Sequence, residues 1–270
     1  MVNLICFKKG KTGLTGRLIR DQLCCYSQRS IERRRLSPRS ITKLIRWGSS
    51  DYLGEEDNVD VLNSIKSIEN SSNKLKALQI LKEANISVPW FRYKGQDVED
   101  KIPFPVVGRT TYHQGGSGFN ICRDLDDLEQ DFNSDSGSSH WLELINVHKE
   151  WRVHIFKGEV IGVSRKTDEG VEDRIRNKYT RNHSNGWRFI KCDVGLVQDR
   201  LKEIALQAVN MLGLDFGAVD IILSDGTEST SETGGRKYYV LEVNSAPSVE
   251  KGSTILSEYI WRFKKWLDNY

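Results

Sequence analysis

The sequence predicts a mixed α/β (α+β) protein of two or three subdomains. Three observations predict it: an apolar strand-loop-helix opening, a middle built of short strands paired as hairpins, and a C-terminal amphipathic helix followed by two strands. The chain has 270 residues, of which 38% are hydrophobic and 29% charged, enough for a sizeable core. No apolar run approaches the roughly 18 residues that a membrane span needs, so no membrane partner is expected. Residues 1–11 lack the charged head, long apolar centre and small-residue cleavage site of an export signal, and the expected location is the cytoplasm. The five cysteines, Cys6, Cys24, Cys25, Cys122 and Cys192, show no CxxC spacing. They suggest neither a disulfide framework nor a zinc site, and are expected to be thiols in a reducing compartment.

Residues 2–7 read as a buried strand, followed by a glycine-punctuated segment 8–16 and a helical stretch to Leu23. Gly10-Lys11-Thr12 falls short of a phosphate-binding P-loop, because Ile5 stands where that motif needs its first glycine. Residues 41–47 make a second strand and 60–69 a short helical connection, so a small α/β domain ends near residue 72. Leu75, Leu78, Leu81 and Ala84 then recur at helical spacing up to Pro89, which disfavours helix in the residue before it. Residues 103–109 and 119–122 read as a hairpin around a glycine-rich tip, 124–132 as an acidic helix, and 141–145 as a strand. Residues 151–156 and 160–164 form another hairpin turning at Lys157-Gly158. Leu201, Ile204, Ala205, Ala208, Val209 and Leu212 form the stripe of an amphipathic helix closed by Gly213. Strands 217–223 and 238–243 flank a polar connection, and Ile255, Leu256, Tyr259, Ile260, Phe263 and Leu267 make a last core-facing helix.

The formal charge of +3 is unevenly spread: residues 29–46 hold seven Lys or Arg against one Glu. Such a segment suits nucleic acid, an acidic protein tail or an acidic small substrate, or it is a solvated basic loop. Aromatic residues for base stacking are absent from it, which argues against single-stranded nucleic acid.

The sharpest chemistry lies in the last two strands. Side chains alternate along a strand, so Glu242 and Asn244 share a face, and an antiparallel partner can set Asp220 beside them. Three convergent oxygen donors without His or Cys suit magnesium, with manganese as an alternative. These polar groups lie among Val219, Ile221, Val240, Leu241 and Val243, where burial demands a partner.

Leu212-Gly213-Leu214-Asp215-Phe216-Gly217-Ala218-Val219-Asp220 followed by Val240-Leu241-Glu242-Val243-Asn244-Ser245-Ala246-Pro247 resembles the paired metal signature of the ATP-grasp superfamily, in its ribosomal-protein glutamate ligase and amino-acid ligase branch. The resemblance covers about residues 73–252. It implies an ATP-grasp fold in three parts: a small N-terminal α/β pre-ATP-grasp domain (1–72), a small subdomain with a glycine-rich flap (73–140) and a C-terminal subdomain with the metal site (141–270). Lys74 then resembles the first nucleotide lysine, and Arg109 takes the place of the second, keeping its charge and adding a fork that can grip phosphate. Gly115, Gly116 and Gly118 resemble the flap over the phosphates, Glu143, Leu144 and Ile145 the strand whose backbone meets adenine, and Glu150 the acid on the ribose hydroxyls. Arg152, Lys166, Arg181 and Asn182 resemble positions that contact phosphates, the acyl group or a metal-bound oxygen.

What the resemblance implies is an ATP- and magnesium-dependent ligase that joins a carboxylate to an amine through an acyl phosphate, on an amino acid or peptide, acidic ones being favoured by the basic segment. Two other readings stand beside it: an ATP-grasp kinase or nucleotide-linked ligase, and a nucleic-acid-binding regulatory module that retains ATP binding, for which Arg33-Arg34-Arg35 is the only direct sign. Oligomeric state is left open.

Overall fold

The computed structural model describes residues 2–7, 12–27, 41–50, 59–96, 101–110, 119–134, 137–168, 181, 185–227 and 235–268. Three sheets follow one another along the chain. The first has the order β2-β1-β3-β4, built from β1 (Val2–Phe7), β2 (Tyr26–Ser27), β3 (Ile41–Trp47) and β4 (Asp60–Leu62). All three of its pairings are parallel, so the chain must cross over between strands, and α1 (Thr12–Leu23) makes the first crossing.

Strand β4 corrects the expectation of a helical connection over 60–69. Asp60, Val61 and Leu62 pair with Lys43, Leu44 and Ile45, a tertiary pairing that overrides weak local preference. The helix starts only at α2 (Ile65–Ser72), where the Ser64 hydroxyl accepts from the Ser67 amide. Asn73 closes α2 and caps α3 (Lys74–Glu83), its side chain accepting from the Lys76 amide.

The second sheet, β5-β8-β6-β7, is antiparallel: β5 (Phe91–Tyr93), β6 (Val106–Arg109), β7 (Asn120–Cys122) and β8 (His140–Glu143). Strand β6 is shorter than the expected 103–109 because Pro103 and Pro105 offer no amide to a ladder. The acidic helix α4 (Leu125–Asn133), capped by Asp124, packs on it. Asp131 in α4 accepts from Trp141 Nε1 at 2.8 Å and from Asn120 Nδ2 at 2.7 Å. A Cβ on Gly108 would stand 2.5 Å from that carboxylate and 2.2 Å from Ser138 Oγ, so only glycine lets the helix approach. Because β8 pairs with β5 and β6, the chain crosses to the third sheet after Glu143.

The third sheet, β11-β10-β9-β12-β13, is antiparallel throughout: β9 (Val147–Phe156), β10 (Glu159–Thr167), β11 (Arg188–Cys192), β12 (Phe216–Ser224) and β13 (Tyr238–Asn244). Its one face packs on α5 (Asp199–Met211), through Leu201, Ile204, Ala205, Ala208 and Val209, together with Ala77 and Leu81 of α3. The other carries Phe156 and Phe216 into a core with Ile5, Ile45 and Trp47 of the first sheet and with Tyr259 and Phe263 of α6 (Thr254–Asp268). Trp47 stacks on Phe216 with ring centroids 5.4 Å apart, and Phe263 meets Phe216 edge-on at 5.0 Å. Asn63, fully buried at the exit of β4, receives the Asp215 and Phe216 amides at 2.7 and 3.2 Å and donates to the Phe216 carbonyl. It thereby fixes the start of β12.

Two cations of the basic segment serve this packing. Lys43 is buried and donates to the Trp266 and Leu267 carbonyls at 2.7 and 3.3 Å, closing the C-terminus of α6. Arg46 is also buried, which corrects the reading of residues 29–46 as one surface patch. Arg33, Arg34 and Arg35 lie outside the described residues.

No disulfide joins the five cysteines, and no described helix is long and apolar enough to cross a membrane. Burial pushes the Cys25 thiol up to about 11, with Cys24 adding to it, and burial with Asp131, Asp127 and Asp124 does the same for Cys122. Both folded values lie above the ordinary 9.0. The stabilisation is therefore complete below pH 9 and is lost as pH rises toward 11. Thermal melts from pH 8 to 11 are expected to show a fall in melting temperature that Cys25→Ala with Cys122→Ala flattens.

Candidate active site

The site occupies the face of the third sheet that carries Arg152 and Asp220. Antiparallel pairing sets Asp220 of β12 directly opposite Glu242 of β13. Asn244, two residues along, donates from Nδ2 to Glu242 Oε1 at 2.8 Å. On the other side of β12, Arg152 of β9 stands opposite Asp220 and grips it with two bonds, Nε to Oδ1 and Nη2 to Oδ2, both 2.7 Å. One strand further, Lys166 of β10 faces Glu150 of β9 and donates to its Oε1. Lys74, the first residue of α3, donates to Glu242 Oε2. Arg181 Nη1 lies 3.9 Å from Glu150 Oε2 and its guanidinium stacks on Trp187 at 4.6 Å. Three carboxylates thus meet four cations on one sheet face.

Burial pushes the Glu242 carboxyl up, but Lys74, its hydrogen bonds with Lys74 and Asn244, and Arg152 outweigh burial and hold it well below the usual carboxylate range. It is therefore ionised at neutral pH, as a metal ligand must be. For Glu150, burial wins over Lys166 and Arg181 and raises the carboxyl. Burial disfavours the charged Arg152, yet Asp220, with Glu242 and Glu150, more than restores it and its value rises. Arg109 ends β6, with its guanidinium 5.2 Å from the Phe119 ring; burial lowers its value and Glu242 opposes that. Glu242 thus feels both Lys74 and Arg109.

Glu143 ends β8, and Leu144 and Ile145 open the crossover to the third sheet. The expected strand over 141–145 is β8, and it ends at Glu143. The Glu143 amide donates to the Trp90 carbonyl at 2.8 Å and the Leu144 amide to the Pro105 carbonyl at 3.0 Å, while Ile145 packs on Ile222 and Tyr239. Gly115, Gly116, Gly118 and Asn182 lie outside the described residues.

Asp220, Glu242 and Asn244 fit a hard cation. The set offers two carboxylates and an amide oxygen on paired strands. That is the pattern of a site whose ion completes its shell with phosphate and water. Phe189 and Trp187 went unnoticed in the sequence; strand β11 is exposed at four of its five residues, so it carries no apolar alternation to reveal it.

Over residues 71–259 the chain matches the RimK-like ATP-grasp domain. The chain belongs to this family. Among curated relatives of this RimK-like chain, a probable alpha-L-glutamate ligase of Haemophilus influenzae is 24% identical over 209 residues, covering 70% of this chain and 60% of that protein. Human N-acetylaspartylglutamate synthase A is 27% identical over 177 residues, 61% of this chain and 43% of that protein. The RimK-like chain therefore spans less than two thirds of the length of these relatives. Among solved structures, D-alanine–D-alanine ligase from Bacillus anthracis complexed with ATP superposes with a TM-score of 0.63 at 15% identity, covering 98% of this chain and 99% of that one. The ATP-grasp ligase PsnB complexed with minimal precursor, Mg and ADP gives 0.62 at 15% identity, covering 97% of each chain. The fold is ATP-grasp.

Proposed function

We propose that this chain is an ATP- and magnesium-dependent carboxylate-amine ligase that forms an amide through an acyl phosphate, acting on an amino acid or peptide in the cytoplasm. The observation that carries this reading is the cross-strand Asp220–Glu242 pair with Asn244, ringed on one sheet face by Lys74, Arg152, Lys166 and Arg181. The relatives' names, probable alpha-L-glutamate ligase and N-acetylaspartylglutamate synthase A, support the substrate class. The ATP, Mg and ADP in the named complexes of structural neighbours support the nucleotide and the metal.

In this reading a carboxylate oxygen attacks the γ-phosphorus of ATP and ADP leaves; an amine then attacks the acyl carbon and phosphate leaves. Asp220, Glu242 and Asn244 would hold magnesium, which would neutralise phosphate charge. Lys74 and Arg109 grip the nucleotide phosphates, and Arg152, Lys166 and Arg181 face the charge that spreads over the transferred group. Gly115, Gly116 and Gly118 close over the phosphates, since glycine lets backbone amides approach anions. The backbone at Glu143, Leu144 and Ile145 borders the adenine, Glu150 holds the ribose hydroxyls, and Asn182 belongs to the nucleotide contacts. No nucleophilic side chain is required, and positioning does the work.

Mass spectrometry after incubation with ATP, magnesium and pooled amino acids and peptides tests this. The expected product weighs the acid plus the amine less one water, formed with equal ADP and phosphate. A phosphorylated acceptor, an AMP product, or no ATP consumption would refute it. Arg109→Ala is expected to weaken ATP binding by about 1.5 to 3 kcal/mol, the worth of hydrogen bonds to charged groups. An unchanged Kd by calorimetry would remove Arg109 from the phosphate site.

A further inference from the structure

We propose that Phe189 is a positioning residue whose ring holds Arg152 and Lys166 side by side for phosphoryl transfer; this rests on the ligase reading of the site. Phe189 lies on the edge strand β11, directly opposite Lys166. Its ring centroid is 4.7 Å from the Arg152 guanidinium carbon and 5.1 Å from Lys166 Nζ. The same side chain is 40% exposed and belongs to none of the hydrophobic clusters of the fold. Among the described residues, the hydrophobic core therefore gives no reason for a large aromatic there.

Its two contacts give one. Arg152 and Lys166 carry like charges, and each is fastened to its own carboxylate, Asp220 and Glu150. The negative face of an aromatic ring attracts both cations and keeps them in register with each other. Asp220 is also a proposed metal ligand, so its hold on Arg152 would be shared with a bound magnesium. The ring contact does not compete with the metal, and it keeps the guanidinium aimed along the sheet face.

The test uses the full chain and three replacements. Phe189→Leu keeps an apolar side chain and removes the ring face, Phe189→Tyr keeps the face, and a fluorinated phenylalanine at 189 keeps the shape while weakening the face. With a condensing acid and amine, Phe189→Leu is expected to lower kcat about tenfold with an unchanged melting temperature. Phe189→Tyr should stay near the parent, and kcat should fall with each added fluorine. Parent-like turnover in Phe189→Leu, a Tyr variant as slow as the Leu variant, or a flat fluorine series would overturn the proposal. If the parent itself condenses nothing, the ligase reading fails separately. The positioning role is then read from the Kd of a non-hydrolysable ATP analogue with magnesium, which Phe189→Leu should raise several-fold; equal affinities would overturn it.

Discussion

Glu242→Gln is expected to cut turnover by about a thousandfold while leaving the protein folded. The substitution keeps the shape and the hydrogen bond to Asn244 but removes the charge that a magnesium ligand supplies, and losing one such electrostatic contact in a preorganised site costs about this much. Folding should tolerate the change, because the side chain of Lys74, 21% exposed, reaches water once its partner is neutral. Steady-state ADP release with the true substrate pair, alongside a thermal melt, checks both halves. Turnover at the parent rate would remove Glu242 from the metal site.

Breaking the other ionic pair should act on stability as well. Arg152→Met leaves the Asp220 carboxylate, with a side chain 8% exposed, buried without its two bonds. Removing one partner of a buried pair costs about 3 to 5 kcal/mol, whereas replacing both with apolar residues is often neutral. Denaturant unfolding of Arg152→Met is therefore expected to lose about 3 kcal/mol, and Arg152→Met combined with Asp220→Leu to recover most of it. Neither variant should turn over. A single variant as stable as the parent would show that the pair contributes only to chemistry.

The parts of this molecule that were legible in the sequence are those where one local rule decides. Alternation along 217–223 and 238–243 put Glu242 and Asn244 on one face and allowed Asp220 beside them, and the structure adds the register that sets Asp220 opposite Glu242. The stripe from Leu201 to Leu212 became α5, ended by Gly213 with a φ of +74°. Illegible were contacts made by distant partners. Strand β4 exists only because β3 lies beside it, and β11 because β10 does. Lys43 read as surface charge, and nothing within ten residues of it announces that its ammonium closes a helix more than two hundred residues away. At the site, the oxygen donors were visible, but their pairing with Lys74 and Arg152 was not, since that depends on which strands and helices become neighbours.

The aromatic cluster of Trp47, Phe156, Phe216, Tyr259 and Phe263 has a thermodynamic meaning. It is one body of buried surface contributed by the first sheet, the third sheet and the last helix. The second sheet has its own core, around Val106, Cys122, Leu128 and Trp141. Elements that share a core open together, and those with a separate one can open alone. The first and third sheets therefore form a single cooperative unit, and β1 is as much a part of the scaffold beneath Asp220 as β12 itself. The second sheet, joined to that unit through residues 84–90 and 144–146, is expected to exchange its amides separately, which hydrogen exchange would read as a second, lower opening free energy.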